Sequence, residues 1–124
     1  MKRITMAGAL LGLMLGAGSA SAKCTMTVKF INNDTHKIVV LGSDSQVKIN
    51  GLTWGSMSFG NVMIAPGATG TASWSTDAAC SGAAKRDFRI KFKDNGNDQI
   101  YSDTSHTDID VYDGETLTWK LKND

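Results

Sequence analysis

The chain is poor in the side chains that most enzymes depend on. It has only two histidines and two cysteines in 124 residues. His36 and His106 stand in polar, turn-like sequence and lack the spacing of a zinc pair. There is no nucleophile-elbow motif, no pair of glutamates and no glycine loop that would cradle phosphate. Serine is so common that a Ser/His/Asp set could be drawn from the chain by chance. The expectation is a protein that is not an enzyme and uses no cofactor. Charge of one sign is also lacking. Thirteen Lys and Arg face twelve Asp and Glu, so no global field draws the chain to nucleic acid. No stretch keeps a helical period over a useful length, which excludes a helical bundle.

The one long apolar run lies at the start. Lys2 and Arg3 precede an uncharged segment from Ile4 to Ala17, and Ala20-Ser21-Ala22 has the small–x–small pattern of a signal-peptidase site. Residues 1–22 are therefore expected to be a cleaved signal peptide, with residues 23–124 as one domain, secreted or periplasmic. The run is short and glycine-rich for a membrane span. Without Lys2 and Arg3, eleven bases against twelve acids leave a net charge of −1. Cys24 and Cys80 would meet an oxidising compartment and are expected to pair. Closing so long a loop is worth about 4 kcal/mol in chain entropy. No Cys-x-x-Cys motif points to redox work instead.

The mature segment alternates with period two. Met26, Val28 and Phe30 share one face, and Phe88, Ile90 and Phe92 another. Shorter strands are expected at 37–41, 47–49, 62–64 and 71–76, with Leu52 and Trp54 on one face of a further strand. Asn50-Gly51 reads as a hairpin and Pro66-Gly67 as a type II turn. Thr71, Ser73 and Ser75 make an all-hydroxyl face, expected to be exposed. Asp94-Asn95-Gly96-Asn97-Asp98 resembles part of a calcium loop, but without the bidentate glutamate it reads better as a hairpin turn. At the end, a three-residue loop Tyr112-Asp113-Gly114 would pair Ile109 with Leu117 and keep the apolar residues together. About eight short strands and recurring turns predict an all-β fold. The expected architecture is an antiparallel β-sandwich, a single small domain with one disulfide.

Residues 50–74 carry two tryptophans, five glycines, the only proline and no charge. Trp54, Met57, Phe59, Met63 and Trp74 are a surplus of large apolar groups near turns. Alternation alone would bury some of them, Trp54 with Leu52 included. The functional reading takes Trp54, Met57, Phe59 and Trp74 as lipid contacts, since tryptophan favours the headgroup level. Lys85, Arg86, Arg89, Lys91 and Lys93 form a candidate basic patch. Asp103, Asp108, Asp110, Asp113 and Glu115 form an acidic counterpart. Both sets also fit solvated strand faces.

Several motifs fall in a recognisable order. They are Phe30-Ile31-Asn32-Asn33-Asp34-Thr35, Leu52-x-Trp54-Gly55, Ile64-x-Pro66-Gly67, Ser81-Gly82 and Phe88-x-Ile90. Together they span residues 28–90, and in this order the chain resembles the aegerolysins, small β-sandwich proteins of bacteria and fungi. The resemblance implies binding of membrane lipid headgroups, in some members beside a larger pore-forming partner in a cytolytic system. It carries over onto Trp54 as a lipid-contact or structural residue. The alternative is a protein-binding module of the inhibitor or toxin-immunity type, with a protein partner and no lipid affinity.

Overall fold

The computed structural model describes residues 24–49, 51–76, 85–94 and 99–122. The expected signal segment, Cys80 with the rest of 77–84, and 95–98 lie outside them. Among the described residues there are nine strands and no helix. They are β1 (Cys24–Asn32), β2 (Ile38–Val40), β3 (Gln46–Ile49), β4 (Trp54–Ser56), β5 (Val62–Ile64), β6 (Thr69–Thr76), β7 (Arg86–Asp94), β8 (Ile100–Asp103) and β9 (Thr116–Leu121).

The strands form two sheets. The smaller has the order β6-β1-β9. The larger is built around β7, whose strict alternation buries Arg86, Phe88, Ile90 and Phe92 and turns Asp87, Arg89, Lys91 and Lys93 outward. Strands β3 and β2 follow one another along one edge of β7, pairing Val47 with Phe88 and Val40 with Phe92. Between them residues 41–45 bulge, yet the ladder stays satisfied. Leu41 N–H donates to Lys91 O (2.8 Å), and Lys91 N–H donates to the buried Ser45 Oγ (3.0 Å). The other edge holds β8, then a Phe88 N–H bond to His106 O (2.9 Å) and a two-way bridge between Arg86 and Ile109. Strand β4 extends the sheet beyond β3, and β5 beyond β2.

One hydrophobic core joins the two sheets. Phe88 lies edge-on to Trp74 of β6 (5.7 Å between centroids) and to Trp119 of β9 (5.6 Å). Phe30 of β1 meets Trp119 (5.5 Å) and Phe59 (5.8 Å). Each such ring removes roughly 150–250 Å² from water, at most about 4–6 kcal/mol apiece. The outer face of the smaller sheet carries hydroxyls, as the alternation predicts. Ser75 and Thr25 face one another in register and touch at 3.1 Å, and Ser73, Thr27 and Thr116 make the next row.

Two expectations are corrected. Not every ladder is antiparallel, because β1 and β9 run parallel, Thr27 opposite Thr116 through Asn32 opposite Leu121. The expected hairpin between Ile109 and Leu117 does not form either. Ile109 is held by Arg86, while Gly114 N–H donates to Thr25 O (2.7 Å) and Thr27 N–H to Glu115 O (2.9 Å), delivering the chain to β1. Alternation says which face of a strand is buried, not which strand lies beside it or in which direction. The turn chemistry holds in two places. Gly114 has φ +82°, and at Pro66-Gly67 the type II turn closes with Ala68 N–H to Ala65 O (3.0 Å) and Gly67 at φ +74°. Cys24 is fully buried.

Candidate functional site

The outer face of the larger sheet gathers most of the remaining candidate residues. Its side chains stand in rows that follow the register. One row runs Met63, Val39, Lys93, Ile100 across four strands. At about 4.8 Å per strand it is about 15 Å wide. Met63 is 67% exposed and Ile100 46% exposed. Further along β7, Lys91 faces Ser102, Arg89 faces Gln46, and Asp87 faces Lys48, with Trp54 beyond. Arg89, Lys91 and Lys93 thus project from alternate positions of one strand to one side, about 7 Å apart.

Trp54 is half-buried by its neighbours. The Arg89 guanidinium carbon lies 4.0 Å from the indole centroid and Lys48 Nζ 4.7 Å from it. Arg89 also donates to Gln46 Oε1 (3.0 Å), so two contacts hold its guanidinium over the ring. Each cation–π contact is worth about 0.5–1 kcal/mol at such exposure. The indole face is therefore occupied by cations of the same chain. Trp54 fixes the start of the basic row rather than standing out as an anchor.

The other expected lipid contacts are inside. Met57, Phe59 and Trp74 are buried in the core, so none can meet a membrane while the fold is intact. For Trp74 the cause was readable, since it lies opposite the hydroxyl face of its own strand. Met57 and Phe59 lie beyond the end of β4, and Met57 N–H donates to Ser45 O (2.8 Å). Ser58 between them takes φ +57° and is exposed, while its two neighbours turn inward. Leu52, expected beside Trp54 in a strand, is instead 76% exposed in the turn before β4.

The basic patch is smaller than expected. Arg86 belongs to the inward face of β7, fully buried, with its guanidinium carbon 6.0 Å from the Trp74 ring centroid. Burial lowers its pKa from the usual arginine range. Lys85 is outside but bound to Asp110 (2.8 Å), whose hydrogen bond and charge raise its pKa. With Gly51, Asp87 and Asp108 it lines an open cleft of about 470 Å³. Asp87 receives Asp108 N–H (2.6 Å) and lies 3.8 Å from Lys48. The cleft's charges thus face one another, and the unbalanced positive part of the face is Arg89, Lys91 and Lys93. Three of the acidic set accept backbone N–H groups, two of them in local turns. Asp113 accepts Thr25 N–H (2.9 Å), Glu115 accepts Tyr112 N–H (2.9 Å), and Asp103 accepts Ser105 N–H (2.9 Å).

A second cluster lies at the other end of β7. Asp34 and His36, in the turn between β1 and β2, meet Asp94 at the end of β7, with ligand atoms all within 4.8 Å of one another. No sequence spacing reveals it. Asp34-x-His36 is short and common, and Asp94 joins it only through the Ile38–Asp94 register. No protein-family model matches the chain, and no curated protein matches it.

Proposed function

We propose that the chain is an exported, non-enzymatic β-sandwich that binds anionic lipid surfaces through the outer face of its larger sheet. A cleaved signal at 1–22 and a Cys24–Cys80 disulfide belong to the same reading, as do membership of the aegerolysins and a part in a cytolytic system. The observation that carries it is the row of Arg89, Lys91 and Lys93 on one face of the sheet, flanked by the exposed Met63 and Ile100. Cations near an anionic membrane contribute about 1 kcal/mol each, so three give about 3 kcal/mol. Two exposed apolar side chains add a shallow contact. Binding is thus peripheral and salt-sensitive, without aromatic insertion.

Co-sedimentation tests this. Vesicles containing phosphatidylserine should retain the protein at low salt and release it as salt rises, while phosphatidylcholine vesicles should not retain it. Lys91→Ala with Lys93→Ala removes about 2 kcal/mol, a loss of about 30-fold. Equal retention by both lipids rejects the anionic, charge-driven mode, and retention by neither rejects the lipid reading. The burial of Met57, Phe59 and Trp74 favours the second reading, a module for a protein partner. That reading expects one host protein to be retained through the same lysines with no vesicle binding.

A further inference from the structure

Independently of the lipid reading, we propose that Asp34, His36 and Asp94 form a binding site for a divalent transition-metal ion, with Zn²⁺ the best match. His36 Nδ1 lies 3.3 Å from Asp34 Oδ1 and 3.8 Å from Asp94 Oδ1. Around a tetrahedral ion with bonds of about 2.0–2.2 Å, ligand atoms stand about 3.3–3.6 Å apart. The first distance already has that value, the second needs a few tenths of an ångström, and the two carboxylate oxygens, within 4.8 Å of one another, close up by side-chain rotation of Asp94 as the ion binds. Thr35 Oγ1, 3.4 Å from the same Nδ1, is the other oxygen beside it. One imidazole nitrogen and two carboxylates form a donor set that suits zinc. Calcium would want six to eight oxygens, more than these residues supply.

Burial and charge favour a cation there. The Asp34 side chain is wholly covered and that of Asp94 is 12% exposed, while that of His36 is 52% exposed. Two carboxylates so little hydrated repel one another and carry a desolvation cost of several kcal/mol. A divalent ion held between them would offset that repulsion. The open side of His36 provides an entry path and room for water as a further ligand.

The three donors are also held from behind. Asp34 Oδ1 accepts His36 N–H (3.0 Å), and Asp34 N–H donates to Asn32 Oδ1 (2.8 Å). The fully buried Asn32 donates in turn to His36 O (2.8 Å) and Ile64 O (2.9 Å). Asp94 is placed by β7 opposite Ile38. Two ligands thus sit on a turn locked by one amide and the third on a strand in register with it. Such outer support is what orients ligands at a metal site. A bound ion would clamp the β1–β2 turn to the end of β7.

The test uses tag-free protein stripped with chelator and titrated with Zn²⁺ by calorimetry and thermal melting. One equivalent should bind saturably and raise the melting temperature, while Mg²⁺ at the same concentration should not. Co²⁺ should give the intense visible bands of a tetrahedral site, lost in His36→Gln. His36→Gln and Asp94→Asn should each weaken Zn²⁺ binding at least tenfold. A native circular dichroism spectrum separates this from misfolding. His106→Gln, at the other histidine, should leave binding unchanged. No saturable binding, or binding unaltered by Asp94→Asn, or binding lost in His106→Gln overturns the proposal.

Discussion

Replacing Asn32 by aspartate keeps almost the same volume and trades the amide's two donor hydrogens for an ionisable carboxyl. The Asn32 amide donates two bonds, to His36 O (2.8 Å) and Ile64 O (2.9 Å), and accepts one from Asp34 N–H (2.8 Å). Its backbone adds Gly67 N–H to Asn32 O and Asn32 N–H to Ala68 O, both 2.9 Å, which the substitution leaves alone. An ionised aspartate has no donor. Two buried carbonyls would lose their partners and face a carboxylate oxygen instead. Each unsatisfied group costs about 1–3 kcal/mol, so the two together cost about 2–6 kcal/mol, much of the stability of a small domain. The substituted carboxyl would have its folded pKa raised by burial and by the two carbonyls. Below the ordinary aspartate value of about 3.9 both folded and unfolded chains are protonated, and one O–H donor is restored. As pH rises past that value the unfolded chain alone gives up its proton, so the deficit grows until the raised folded pKa is passed. Urea unfolding followed by tryptophan fluorescence at pH 7 and pH 3.5, with wild type alongside, measures this. A change under about 0.5 kcal/mol at pH 7, or a deficit equal at both pH values, would refute the reasoning.

Two further outcomes follow from packing and charge. A Cβ at Gly42 would lie 1.8 Å from Phe59 O and 2.5 Å from Phe59 C, backbone atoms that cannot move aside. Gly42→Ala should therefore cost about 3 kcal/mol or more, while Gly60→Ala, with open space around it, should stay within about 0.5 kcal/mol in the same unfolding assay. Lys85 has its folded pKa raised by Asp110, so this ion pair contributes below the ordinary lysine value of about 10.4 and is lost as pH climbs through the raised one. Asp110→Asn should abolish that alkaline component of the stability profile. An unchanged profile would show that the pair does not act.

Strands with a full alternating stripe were legible in the residues. Met26, Val28 and Phe30, then Phe88, Ile90 and Phe92, then Leu117, Trp119 and Leu121 are all in the core. Their periodicity is local, and it outvotes any competing signal. Pairing was not legible, since nothing near Leu117 says that its partner is Val28 in parallel rather than Ile109 in a hairpin. The site was half legible. Arg89, Lys91 and Lys93 share an outward face by alternation alone, and the same rule puts Arg86 on the opposite one. Reading the five cations as one patch ignored that parity. Met57 and Phe59 keep the period of two, both buried with the exposed Ser58 between them, and taking them as lipid contacts set that alternation aside. Ile100 and Met63 join Lys93 only through the register of four strands, a relation that no single stretch contains.

The parallel contact between β1 and β9 has a consequence for how the chain is completed. Strand β1 is the middle of its sheet, yet one of its neighbours is β9, the last of the described strands. β1 therefore stays half-paired until the chain has folded back from a strand almost ninety residues further on, and such distant pairing is slow. A chain cut before Thr116 would leave one flank of β1 bare from Thr27 to Asn32. Bare strand flanks recruit other chains. Loss of β9 alone would thus favour polymerisation of the chain through β1.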